Sequence, residues 1–171
     1  NEGDTLSVVY GDTSGSSRGM MAGIISSPPE RILMAVDTEG TGDFRFHSDR
    51  PTIVIHAGPA AELMLHGPSS LVRGQPAELH LAVVDAKANP ATSFDGEVEL
   101  RVSTGRVQVP SRVRFASARG WETVKIVPMG VGIVRIEAFA QHGRLRAVGN
   151  PMKVLERDPK LKVYWGDLHS H

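Results

Sequence analysis

The chain has 171 residues, 19 basic against 19 acidic, and no net formal charge at pH 7. It contains no cysteine, which excludes a disulfide framework, a cysteine-ligated zinc knuckle, an iron–sulfur cluster and a thiol nucleophile. Zero net charge lacks the general pull on polyanions that nucleic-acid binding needs, and the longest apolar run, Met20 to Ile25, falls far below the ~20 residues that cross a bilayer.

No stretch carries a helical repeat. Short apolar runs alternate with polar positions, and Gly, Pro, Asn or Asp interrupt them about every 8–12 residues, the rhythm of an all-β protein. Leu6 to Tyr10 reads as a first strand, ended by Gly11-Asp12 and a polar loop from Thr13 to Gly19. Gly23-Ile24-Ile25 reads as a short strand stopped by Pro28-Pro29, and Ile32 to Val36 as a strand covered on both faces. The turn from Asp37 to Gly42 joins it to Phe44-Arg45-Phe46 as a hairpin, and Thr52 to Ala57 is a further strand ended by Gly58-Pro59.

Beyond Pro59 the alternation becomes regular. Ala61 to His66 leads, then Leu79, Leu81 and Val83 share one face. Val98, Leu100 and Val102 point one way while Glu97, Glu99 and Arg101 point the other. Val113 with Phe115, Val124 with Ile126, Val134 with Ile136 and Ala138, and Leu145 with Ala147 repeat the pattern. Such a series of half-buried strands predicts an immunoglobulin-like sandwich. Charge divides at the same place: residues 1–60 hold 4 basic and 8 acidic residues, residues 61–155 hold 12 and 8. The expected fold is therefore all-β, with a β-rich domain over residues 1–58 and an immunoglobulin-like sandwich over 59–154. A linker and a truncated strand are expected over 155–171. The chain opens Asn1-Glu2-Gly3-Asp4 and stops at His171, and the expectation is a piece of a longer protein.

Three stretches hold chemistry. In Val163 to His171, the side chains of Asp167, His169 and His171 fall on one face of a strand. Two neutral imidazoles so spaced suit one zinc, manganese or iron ion, and a carboxylate can orient a ligating histidine. Read alone, the pair fits either a metal site or two exposed histidines at a chain end. Asp37 to Asp43 has oxygen side chains at alternate positions as calcium loops do, but Ser48 stands at the twelfth position, so a polar hairpin turn is preferred. Gly11 to Ser17 has a serine-protease-like composition with wrong spacing, and reads as a loop. His47, His56, His66, His80 and His142 read as isolated strand residues, and Arg112, Arg114, Arg135, Arg144 and Arg146 as an outward sheet face.

Tyr164-Trp165-Gly166-Asp167-Leu168-His169-Ser170-His171 resembles the opening strand of a PHP-type (polymerase and histidinol phosphatase) metallohydrolase domain. The upstream chain is similar to the β-rich N-terminal region of a bacterial family carrying such a domain. The residues concerned are Gly3-Asp4-Thr5, Val9 to Asp12, Gly58-Pro59-Ala60 and the turn from Val84-Asp85 to Asn89-Pro90. The resemblance implies that His169 and His171 ligate a divalent metal (Zn, Mn or Fe) in the full-length protein, with Asp167 behind them. It implies a non-catalytic accessory region in this chain, inactive and cofactor-free by itself, partnered with the protein's own C-terminal phosphoesterase domain. No nucleic acid or membrane is expected as partner. The alternative is a standalone sandwich that binds a protein or glycan.

Overall fold

Alternation in the second half of the chain is what the sheets are built from. The computed structural model describes residues 7, 9, 11–48, 50–116 and 118–159. These form fourteen strands among the described residues: β1 Ser27–Arg31, β2 Ala35–Val36, β3 Arg45–Phe46, β4 Thr52–Ile55, β5 Glu62–His66, β6 Ser70–Val72, β7 Ala77–Val84, β8 Gly96–Thr104, β9 Val107–Gln108, β10 Arg112–Phe115, β11 Trp121–Pro128, β12 Gly132–Ala140, β13 Leu145–Val148 and β14 Met152–Leu155. The chain divides into two units, Asn1–Ala57 and Gly58–His171.

The second unit is an immunoglobulin-like sandwich. One sheet has the order β5-β7-β11-β9, the other β10-β8-β12-β14-β6, with β13 also on β12. All pairings are antiparallel except β14 with β6. The facing sides meet in one core: Leu79, Leu81, Val83 and Ile126 from the first sheet, Val98, Val134, Ile136 and Met152 from the second, all essentially inaccessible. Each side chain so buried contributes about 1.5–3 kcal/mol, and the alternate residues left in water make the pattern legible. Phe115 is buried as its alternation requires and meets Phe94 edge-on, centroids 5.5 Å apart.

One inward position fails. Val102 is 38% exposed although it follows Val98 and Leu100 in phase. Beside it the β8–β12 register shifts between Arg135 and Ile136, and such an irregularity re-aims the side chains of the strand that carries it. Two short strands, β6 and β9, are too brief to show an alternation in the sequence, and β14, which buries Met152 and Val154, is a further strand beyond those expected from the sequence. The first strand of the sandwich changes sheets: β5 pairs with β7, and after Gly67-Pro68 the chain continues as β6 beside β14. There Asn150 accepts from the Gly67 N–H at 2.8 Å and donates to the Gly67 carbonyl at 3.0 Å. One amide thus pins the kink of the first strand to the break between β13 and β14.

The first unit has two-stranded sheets, β1 with β4 and β2 with β3. The hairpin β2–β3 lies where the turn predicts it. The strand expected at Gly23 to Ile25 instead runs over Ser27–Arg31 and includes both prolines. The ladder shifts between Ser27 and Glu30, so Pro28-Pro29 occupy an irregularity on a strand paired on one side, where a missing N–H is tolerated. The run from Ile32 to Val36 is not covered on both faces: Leu33 is 61% exposed, and within the run only Ala35 and Val36 lie in a strand. No described residue of this unit is buried. Of the strand expected at Leu6 to Tyr10, only Ser7 and Val9 are described, and neither is in a strand.

Candidate functional site

Asp167, His169 and His171 lie outside the described residues, as do Tyr164 to Gly166. Among the described residues, no group of three or more His, Asp or Glu gathers to hold a metal ion.

The calcium-like loop is a turn organised by its own aspartate. Asp37 accepts N–H bonds from Glu39 at 3.1 Å, Gly40 at 2.8 Å and Gly42 at 2.6 Å. The Gly42 N–H, foremost among these, holds the Asp37 carboxyl below its ordinary range. These bonds turn the carboxylate onto the backbone of its own loop, the hairpin-turn arrangement. Gly11 to Ser17 is likewise a loop, closed by Asp12 accepting from the Ser14 N–H at 2.8 Å and from the Ser14 hydroxyl at 2.9 Å.

The outer face of β10, β8, β12 and β13 carries the arginines that alternation points outward. Register aligns Arg112, Glu99, Phe139 and Arg146 in one row across the four strands. Arg101 donates to Glu99 at 2.8 and 3.1 Å, Arg112 to Glu97 at 3.4 Å, Arg114 to Asp95 at 2.6 Å and Arg146 to Glu137 at 3.2 Å. Guanidiniums of Arg101 and Arg146 lie 4.8 and 5.6 Å from the Phe139 ring centre, within cation–π reach. The hydrogen bond from Arg101 lowers the Glu99 pKa, and the same bond raises that of Arg101. At the end of this face, the β12–β13 turn puts Gln141, His142 and Gly143 at φ of 49°, 56° and 86°. A shallow concavity of about 460 Å³ lies between this turn and Glu97, Glu99 and Arg112. Its carboxylates are already matched by guanidiniums, and nothing in it forms a nucleophile–base pair.

A second polar centre is buried. Asp85, 5% exposed, follows β7. One carboxylate oxygen accepts from the N–H groups of Lys87 at 2.8 Å and Asn89 at 2.9 Å. The other accepts from the Gly58 N–H at 2.8 Å and the Asn89 amide at 3.0 Å. Ala88, at φ 63°, donates its N–H to the Asp85 carbonyl at 3.0 Å and completes the turn. The Asn89 amide, then the Gly58 N–H, hold the Asp85 carboxyl far below the usual carboxylate range. The centre anchors the first residue of the sandwich, so its role is structural.

Of the histidines expected to stand alone, two do not. His66 on β5 stands directly opposite His80 on β7, and both are exposed. Leu63 and Leu65 alternate with His66, and Leu79 and Leu81 flank His80. The outward direction of each ring is therefore visible in the sequence, but their adjacency is not.

No protein-family model matches the chain, and no curated protein does. Among solved structures, a glycosyl hydrolase family 2 member from Bacteroides cellulosilyticus DSM 14838 is similar with 13% identity and a TM-score of 0.50, over 61% of this chain and 17% of that one. The D00-D0 domain of intimin is similar with 12% identity and a TM-score of 0.47, over 75% and 65%. The Escherichia coli adhesin FdeC is similar with 12% identity and a TM-score of 0.46, over 69% and 38%. The chain spans less than a fifth of the glycosyl hydrolase's length. At such identities the likeness is one of fold, and the protein is an all-β chain with an immunoglobulin-like sandwich.

Proposed function

We propose that this chain is the non-catalytic β accessory region of a PHP-type metal-dependent phosphoesterase, whose catalytic domain starts with the stretch Val163 to His171. The observation that supports the reading is Gly166-Asp167-Leu168-His169-Ser170-His171, which follows the last sandwich strand after a short charged segment. In this reading His169 and His171 are the first metal ligands and Asp167 orients one of them. A divalent ion there would polarise a phosphoryl oxygen and activate water. The other ligands belong to the catalytic domain, which is the partner of the sandwich. The occurrence of a similar fold within 17% of a glycosyl hydrolase is compatible with an accessory role.

The test compares this chain with the gene product extended beyond His171. The extended protein is expected to bind divalent metal and to hydrolyse an aryl phosphate, losing both with His169→Ala or His171→Ala. A metal-free, inert extended protein, assayed with zinc, manganese and iron, would overturn the reading. A standalone binding module is the second reading. It is supported by Trp121, 45% exposed on the sandwich with Arg119 stacked at 4.7 Å. Oligosaccharide binding abolished by Trp121→Ala would favour it.

A further inference from the structure

We propose that His66 and His80 form a two-histidine site for a divalent late transition metal ion on the outer face of the β5–β7 pair. The two residues are direct partners in the antiparallel ladder. Opposed residues of such a pair project to the same side, with Cβ atoms about 4.5–5.5 Å apart. Both are exposed, while their neighbours Leu65, Leu79 and Leu81 are buried in the core. The strands that carry the rings are therefore fixed by packing, and the rings themselves are free to turn toward a common point. Metal–imidazole bonds of about 2.0–2.1 Å bring two ring nitrogens onto one ion from that spacing. Neutral imidazole suits zinc, copper and nickel.

The surroundings set the strength of the site. Thr123 on β11 is the other cross-strand partner of His80, and Glu78, on the same face of β7, is paired in register with Lys125. No third His, Asp or Glu joins the pair among the described residues. The protein thus supplies two ligands and water the remainder, so affinity is lower than at a three- or four-ligand site. Binding joins the first and second strands of the sandwich in the folded state only, so the ion must also stabilise the fold. This site is independent of the one assigned to His169 and His171.

The experiment titrates zinc, nickel and copper separately into the whole chain carrying His169→Ala and His171→Ala, by calorimetry, with urea unfolding in parallel. One ion per chain is expected, for at least one of the metals. Either His66→Gln or His80→Gln should weaken its binding at least tenfold and remove the metal-induced rise in the urea midpoint. Both substitutions are on exposed positions, so the midpoint without metal should stay close to that of the unsubstituted chain. Absence of binding, undiminished binding in the His66→Gln/His80→Gln double variant, or a midpoint insensitive to saturating metal would each overturn the proposal.

Discussion

Asp85 is a charge taken out of water and supported on both oxygens by N–H groups. Because its folded pKa is depressed, the linkage has a definite sign. Its contribution is fully present above the unfolded carboxylate pKa of about 3.9 and is lost as pH falls from there toward the folded value. Urea midpoints measured from pH 7 to pH 2 should therefore drop below about pH 4. Asp85→Asn should be less stable at neutral pH and should lack that part of the acid drop. Gly105 is a different single-residue constraint. Its φ is +80°, and an added Cβ would overlap the Ile133 carbonyl oxygen, a backbone atom. Gly105→Ala should cost ~2–4 kcal/mol, by strain at a left-handed position and by overpacking together, read as a lower urea midpoint.

At the scale of elements, the first strand depends on two neighbours meeting at its kink. A side chain at Gly67 would overlap the buried Met152 sulfur and crowd Leu79 at 3.0 Å, so Gly67→Ala should destabilise by ~1–3 kcal/mol. Asn150→Ala removes both bonds to Gly67 and should cost about 1–3 kcal/mol. The two positions share one contact, so the double variant should cost less than the sum, which a double-mutant cycle in urea would read. The central strand β12 is the other point of dependence. Ile136 is fully buried between β8 and the opposing sheet, and Ile136→Ala should cost ~2–5 kcal/mol with a residual cavity.

At the scale of the molecule, the buried side chains of the described residues all lie between Leu63 and Val154. A polypeptide of residues 58–159 should therefore unfold cooperatively by itself, with a thermal midpoint within a few degrees of the whole chain. Residues 1–57, with no buried residue among those described, should show no cooperative transition by calorimetry, since surface burial is what offsets the chain entropy. The same difference explains which parts are legible in advance. Where a strand buries one face, as β7 does with Leu79, Leu81 and Val83, selection of apolar side chains at every second position writes the fold into the sequence. Where no face is buried, as in β1, Pro28-Pro29 mimic a strand end, because nothing in the local pattern marks an irregular, one-sided pairing. Of the candidate sites, the histidine–carboxylate motif at Asp167, His169 and His171 is a local feature of the sequence and lies outside the described residues; its spacing is noticeable because in any strand residues two apart share a face. The His66–His80 pair and the Gly67–Asn150 clasp are not local. Alternation determines which way a side chain points, a matter of neighbouring residues and the core beneath them. Which residue stands across from it follows from the register of strands distant in the chain, and packing in three dimensions alone decides that.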